Sequence, residues 1–416
     1  MPEHIRVVVT GLGAISSVGN DVKTCWDSLV AGKSGIGRVT RFDPSDQRCQ
    51  IAGEVKNLDL SKNLDPKLSK RMDTFCHYAV IAADEALAQA GIEDGSETND
   101  PSRIGVLISA GIGGLETIVT QARHLMEAGA DRVSPLTVPM MIADMASGHV
   151  ALKHNFQGAN FGIVSACASG LHSIGESYWM IRRGDADVMV AGGAEASVQP
   201  LAHAAFGRMK ALSCRNDDPE HACRPFDLDR DGFVPAEGAG ILVLEEREHA
   251  IRRGAQILAE VVGYGLSCDA YHITAPRSDG SSAAQAIHNA LRCAGLPAEA
   301  ISYINAHGTS TPLNDKTETL VYKLALGEEL AHKIPISSTK SMTGHMLGAA
   351  GGFESVVCVK AIQEGIVPPT INQFTPDPEC DLDYVPNVAR KMDVSLALKV
   401  SFGFGGHNAA VLFQKP

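Results

Sequence analysis

The chain has 416 residues, 44% hydrophobic and 20% charged, with a formal charge of −12. That length is enough for two domains or one large layered domain, and the acidic balance argues against nucleic acid as a partner, because phosphate binding needs a basic surface. The longest apolar stretches are too short and glycine-rich to span a bilayer, and ten cysteines without a C-x-x-C pair or a zinc-like Cys/His spacing suggest a reducing compartment, with no disulfide framework and no metal site.

The first predicted strand, Arg6 to Thr10, leaves little ahead of it to serve as a signal or transit segment, so the expected location is the bacterial cytosol or a processed organellar form. "TGLGAIS" at 10 to 16 is a weak dinucleotide fingerprint, since Ser16 replaces the third glycine, and cofactor binding there carries little weight. Further strands are predicted at Ile104 to Ser109, Gly162 to Ser165, Val188 to Ala191, Ile241 to Leu244, Leu258 to Tyr264, Ile301 to Ala306, Ile334 to Ser337 and Ala409 to Phe413. Between them fall helices, most clearly Phe75 to Ala90, Gly170 to Arg183, Ser282 to Ala294 and Gly348 to Gln363, the last three each followed by a glycine stop signal. This alternation is that of an α/β protein with mostly buried parallel strands. "RIGVLISAG" echoes "AISYINAHG", and "EGAGILVLEE" echoes "GGHNAAVLFQ", so the chain reads as two related halves, 1–255 and 256–416. The polar stretch from Arg208 to Glu237 reads as an ordered excursion rather than a linker.

Chemistry concentrates in four small-residue segments at predicted strand ends, where α/β folds collect their ligands: "SACASG", "NAHGTSTPLND", "STKSMTGHMLGAAGG" and "SFGFGGHN". Cys167 precedes a predicted helix whose first N–H groups would favour its thiolate, yet a free cysteine in an apolar setting is as readily an inert core residue. His307 and His345 each sit in a glycine-flanked turn, and two neutral imidazoles there could donate to one developing oxyanion. Lys340 would bind substrate or hold His345 through its field, or else is a surface lysine. "GFGGHN" has the form of a mobile loop in which Phe404 covers a pocket and turns its N–H to an oxyanion, or of an ordinary tight turn.

With "SACASG", "NAHGTSTPLND", "STKSMTGH", "GDADVMVAGGAE" and "RPFDLDRDGFV" in that family's order, the chain resembles the β-ketoacyl-acyl carrier protein synthases over nearly its whole length, most of all the type II elongating condensing enzymes. The resemblance implies a thiolase-like fold, two similar halves in a five-layer αβαβα sandwich, and a homodimer. It implies that Cys167 is the acyl-accepting nucleophile, that His307 and His345 hold the enolate from decarboxylated malonyl-carrier protein, and that Lys340 supports His345, with Glu354 behind it. The backbone N–H groups of Cys167 and Phe404 would form the oxyanion hole. Ile112, Phe206 and Phe404 would bound the acyl pocket, and Thr309 and Thr311 would meet the pantetheine arm. Lys67, Lys70, Arg71, Arg132 and Lys210 would dock the acidic acyl carrier protein, which brings the substrates on its own phosphopantetheine, so no further cofactor and no metal is implied. The chain departs from the commonest family pattern at Val400, Phe353 and His407, none of them a catalytic group. A degradative thiolase would carry a second cysteine in the last loop, and a noncatalytic chain-length subunit would lack the nucleophile.

Overall fold

The computed structural model describes residues 5–92 and 100–416. Nine strands share one sheet: β1 (Val7–Ile15), β2 (Ile104–Ser109), β3 (Val188–Glu195), β4 (Gly238–Glu246), β5 (Ala259–Cys268), β6 (Tyr303–Asn305), β7 (Ile336–Ser337), β8 (Leu396–Gly403) and β9 (His407–Gln414). Their spatial order is β2-β3-β4-β1-β5-β9-β8-β6-β7. Its two sides repeat one plan. In the first, β2 runs parallel to β3, β3 antiparallel to β4, and β4 antiparallel to β1. In the second, β6 runs parallel to β8, β8 antiparallel to β9, and β9 antiparallel to β5. The sides join where Val7–Val9 pair with Ala259–Val261.

Helices complete the layers. Helix α1 (Thr74–Ala90) covers β1, β3 and β4 on one outer face, while α3 (Ser281–Ala294) covers β5 and β9 on the other, with α4 (Pro312–Leu326) packed on α3. Between the two sides lie α2 (Ser169–Arg182) and α5 (Ala350–Glu364), packed on each other and on strands of both. The order is the αβαβα sandwich implied by the resemblance. Being covered on both faces, the strands are apolar along their length, as β1 and β3 illustrate with every residue buried. The glycines of "TGLGAIS" serve this packing. A Cβ at Gly13 would lie 1.8 Å from the Ala82 carbonyl oxygen, so α1 rests directly on the backbone of β1, which continues well past Thr10.

One predicted strand is absent. Residues 162 to 165 follow a single parallel bridge, Val106 to Asn160, and their backbone is held by side chains instead of a neighbouring strand. Ser109 Oγ accepts from Ile163 N at 2.8 Å, and Ser147 Oγ donates to Phe161 O at 2.9 Å. In the second half the corresponding segment does pair, as β7. Conversely, β8 is a strand that the apolar pattern did not reveal. The segment from Arg208 to Glu237 is ordered by its bonds to its surroundings, among them Ser213 N to Phe233 O and Gly232 N to Ser310 O, both 3.0 Å.

Candidate active site

The middle layer positions the chemistry. Helices α2 and α5 are entered alike, each through a 3₁₀ turn, Ala166–Ala168 and Leu347–Ala349, that opens on a left-handed residue, Ala166 at φ 51° and Leu347 at φ 46°. A non-glycine residue there is strained, and such strain gathers where geometry is imposed. The first turn is braced by Ser169, whose Oγ accepts from Ser165 N at 2.9 Å and donates to Ala166 O at 2.7 Å. Cys167 therefore stands at a fixed point before α2, its sulfur at the base of a cavity of about 530 Å³.

Three other segments converge on that sulfur. His345 Nε2 lies 3.1 Å from Cys167 Sγ. The His345 backbone is gripped by the excursion, its N–H donating to Val234 O at 2.7 Å and its carbonyl accepting from Ala236 N at 2.9 Å. The ring of His307 meets that of His345 edge-on, centroids 5.4 Å apart. Its loop is fixed by Glu318 of α4, which accepts from His307 N at 2.6 Å and Gly308 N at 2.7 Å. Neither imidazole Nδ1 has a hydrogen-bond partner. A buried N–H without an acceptor is costlier than a bare lone pair, so each neutral ring carries its proton on Nε2. Burial, reinforced by the Lys340 charge, holds both imidazoles well below their ordinary range. They are neutral donors.

The last segment is the turn between β8 and β9. The sequence offered a mobile loop or a tight turn, and a tight hairpin is found, with Gly403 opposite His407. It is pinned by Gly405 N to Ile273 O at 2.8 Å and Asp269 N to Gly406 O at 2.9 Å. Gly403 presses on the Cys167 turn: a Cβ there would lie 2.6 Å from Ser165 O and 3.3 Å from Cys167 N. This contact brings Phe404 N–H, beside the N–H of Cys167 itself, against the sulfur. Those two donors and the Lys340 charge do not outweigh burial, which pushes the Cys167 thiol up to about 12. The donors at the helix start and burial thus act on this thiol in opposite directions.

Lys340 is buried too, and so is not the surface lysine that the sequence left open. It donates to the carbonyl of His307 and to Glu354 Oε1, both at 2.6 Å, and acts on His345 through charge. Glu354, on α5, is shared. Its other oxygen meets Lys399 Nζ at 2.7 Å, and that second ammonium also donates to Ala306 O at 3.0 Å. Lys399 lies inside β8 and is fully buried, and sequence reasoning missed it, as it missed Glu318. A third missed residue is Glu195, at the end of β3. It accepts from Gly111 N (2.7 Å), Gly348 N (3.1 Å), and Ile112 N and Gly113 N (both 3.3 Å), tying the pocket wall to the entry of α5.

Ile112, Phe206, Phe404, Thr309 and Thr311 all line the cavity, the two threonine hydroxyls 3.0 Å apart. Of the basic residues, Lys210 is exposed at the cavity's edge, among its lining residues. Lys67, Lys70 and Arg71 are exposed on and just after the short helix Pro66–Ser69, and Arg132 at the end of the turn Ala130–Arg132. Val400 and Phe353 are core residues, and His407 begins β9. The arrangement can attack an acyl group with the thiol, hold the resulting oxyanion on two N–H groups, and steady a second oxyanion on two imidazoles.

Comparison with known proteins agrees with this geometry. The family described as Beta-ketoacyl synthase, N-terminal domain, matches residues 5–250, and that described as Beta-ketoacyl synthase, C-terminal domain, matches residues 258–374. Over 413 residues the chain is 54% identical to a 3-oxoacyl-[acyl-carrier-protein] synthase 2 of Synechocystis sp., covering 99% of each chain. It is 49% identical over 415 residues to the protein of that name in Staphylococcus aureus, covering 100% of this chain and 99% of the relative. Among solved structures, a β-ketoacyl synthase from Burkholderia phymatum superposes with a TM-score of 0.92 at 36% identity, over 99% of this chain and 100% of that one. A chain of a type II PKS acyl-carrier protein complex with its ketosynthase, bound to the hexaketide, gives the same TM-score and identity over 100% of both. With its Cys167–His345–His307 cluster built on a sandwich that superposes on these enzymes end to end, the chain belongs to the β-ketoacyl synthase family.

Proposed function

We propose that this chain is an elongating 3-oxoacyl-[acyl-carrier-protein] synthase, condensing an enzyme-bound acyl chain with malonyl-carrier protein to give a β-ketoacyl-carrier protein two carbons longer. One geometry carries the proposal: the Cys167 sulfur, 3.1 Å from His345 Nε2, at the base of a largely apolar cavity lined also by His307. The sulfur attacks the thioester carbonyl, the pantetheine sulfur departs, and the proton lost by Cys167 ends on that departing thiol. Phe404 N–H and Cys167 N–H hold the oxyanion of the tetrahedral intermediate. Malonyl-carrier protein then loses carbon dioxide, and the Nε2–H groups of His307 and His345 hold the enolate oxygen while its carbon attacks the acyl-enzyme carbonyl; the acyl–sulfur bond breaks, and the departing Cys167 thiolate takes up a proton from solvent. Lys340 and Glu354 keep His307 in position. No step calls on a metal or a cofactor beyond the carrier's own phosphopantetheine.

We divide the chain into functional halves, 1–255 with the nucleophile and 256–416 with the two histidines. Ile112, Phe206 and Phe404 bound the acyl chain, and Thr309 and Thr311 receive the pantetheine arm. Lys210 at the cavity's edge, with Lys67, Lys70, Arg71 and Arg132, receives the carrier protein, a reading supported by the relative solved with its acyl-carrier protein. We place the enzyme in the bacterial cytosol as a homodimer.

Incubation with a ladder of acyl-carrier proteins should add the acyl mass to Cys167, and malonyl-carrier protein should then release the extended product. Cys167→Ala should abolish both. Acyl mass on another residue, or retained in Cys167→Ala, would sink the assignment.

A further inference from the structure

Two thiols outside the catalytic cluster stand behind the cavity wall. Cys49 Sγ and Cys214 Sγ are 3.1 Å apart, and both lie beside the Leu212 carbonyl, at 3.8 and 3.7 Å. Their backbones are registered by Asn216, whose Oδ1 accepts from Gln50 N at 2.8 Å and whose Nδ2 donates to Arg48 O at 3.0 Å. The chain on either side of Cys49 is thus clamped to a residue two places from Cys214. Cys214 is itself held, its N–H donating to Asp231 Oδ2 at 3.2 Å. The two sulfurs differ in access, Cys49 being buried and Cys214 partly exposed.

We propose that Cys49 and Cys214 are a thiol/disulfide site, oxidised to an intramolecular disulfide by a small-molecule disulfide and opened again by thiols. The Cys214 thiolate, the accessible partner, attacks one sulfur of the oxidant. The oxidant's S–S bond breaks, its first half leaves as a thiol, and Cys214 carries the second half as a mixed disulfide. Cys49 gives up its proton and attacks the Cys214 sulfur, expelling that second half as another thiol. Two protein thiols are oxidised and one small disulfide is reduced to two thiols. The sulfurs need to close by only about 1 Å to reach bonding distance. Burial and the adjacent thiol push Cys49 up to about 12, so it is inert toward solution oxidants and reacts once Cys214 presents a disulfide beside it.

The bond would close a loop between positions 165 apart and fasten the cavity wall. Leu212 bridges Phe233, with Ser213 N to Phe233 O and Phe233 N to Ala211 O both at 3.0 Å. The Phe233 ring in turn packs edge-on against Phe206 and His345, each at 5.4 Å between centroids. The staple therefore sits two residues from the strip of chain that supports both the acyl pocket and a catalytic imidazole.

The test uses the full chain, purified reduced and incubated with glutathione disulfide, free thiols then being alkylated. The expected species has lost 2 Da, joins tryptic peptides 49–56 and 211–215, reverts with dithiothreitol, and unfolds several degrees higher. Cys214→Ser should remove the cross-link and the thermal shift. Cys49→Ala should accumulate a glutathione adduct on Cys214 with no cross-link. A wild-type protein that holds a lasting Cys214 adduct with Cys49 alkylated, or shows no joined peptide, overturns the proposal. So does a Cys49→Ala protein with Cys214 unmodified. None of these readouts needs catalytic turnover, so the outcome is separable from the function proposed above.

Discussion

Glu354 holds two ammonium groups at once, Lys340 on one oxygen and Lys399 on the other, which leaves a net positive charge buried beside two imidazoles. Burial lowers the proton affinity of His307 and His345 most, and both lysine charges lower it further. The same burial lowers Lys399 itself, with Glu354 opposing and Lys340 adding to the shift. This fixed charge keeps the imidazoles neutral, which is the state the proposed enolate step uses. In Lys399→Met, Glu354 Oε2 loses its ion-pair partner and the Ala306 carbonyl a donor, and we expect a stability loss of roughly 3 kcal/mol in urea denaturation, as for other broken buried pairs. We also expect the acid limb of the pH–rate profile to move to higher pH, since one positive charge fewer lets the imidazoles protonate earlier. A limb that stays where it is in the wild type would show that Lys399 packs the site without tuning it. At Glu195, Glu195→Gln would turn an amide N–H₂ toward a pair of backbone donors, whichever way the amide faces. Leaving those N–H groups unmet should cost about 1–3 kcal/mol, read as a lower urea midpoint.

The hairpin between β8 and β9 shows how one element sets the place of a backbone donor proposed for the oxyanion hole. In Gly403→Ala the added methyl meets Ser165 O at 2.6 Å, and the hairpin must back away from the nucleophile's turn. Phe404 N–H would leave the sulfur with it. Loss of one oxyanion donor typically lowers a rate by about 10²–10³-fold, so acyl transfer to Cys167 should fall by about 10²-fold while the circular dichroism spectrum is kept; an unchanged acylation rate would remove Phe404 N–H from the oxyanion hole. Much of this site was legible in the sequence through the family resemblance carried by its small-residue segments, since Cys167 and Lys340 taken alone each had a structural reading as well. The rest was hidden for identifiable reasons. Lys399 and Ser401 interrupt the apolar run of β8, so the strand escaped notice and its buried lysine with it. The segment at 162 to 165 has a strand's composition, but its Ile163 and Ser165 N–H groups donate to the hydroxyls of Ser109 and Ser169. Lys340 is five residues from His345 in the chain, yet the fold turns its ammonium to the carbonyl of His307.

At the scale of the molecule, the two halves meet along α2 and α5, and the site forms where the entries of those helices face each other, which is why it draws its thiol from one half and its imidazoles from the other. Burying so many titratable groups at this junction and around it shapes the stability of the whole fold. Burial pushes Glu195 and Glu85 up to about 7 and Asp315 up to about 6, and raises Asp73 and Glu237 as well. An unfolded carboxyl loses its proton near about 4. From there upward the folded chain holds protons that the unfolded one has released, so these five groups make stability fall as pH rises, until each has passed its folded value. Five imidazoles work in the opposite sense. Burial lowers His307, His345, His149 and His203, and brings His172 down to about 4. As pH falls below about 6.5 the unfolded chain takes up protons that these buried rings refuse, and stability falls with pH. Each unmatched proton changes stability by about 1.4 kcal/mol per pH unit, and between the unfolded carboxyl range and about pH 6.5 the two sets act in opposite directions. Below about pH 4 the carboxyl slope is exhausted. The slope of His307 and His345 persists there, joined by Asp377, Asp383 and Glu245, which ion-paired partners hold below their usual range and which therefore also lose their stabilising effect as pH falls. Urea midpoints measured across pH should accordingly change less between about 5 and 6.5, where the two sets oppose each other, than below about 4, where they should drop. A midpoint that climbs steadily from pH 4 to 8 would mean that the buried carboxyls are ionised throughout, and that the backbone donors around groups such as Glu195 overcome their burial.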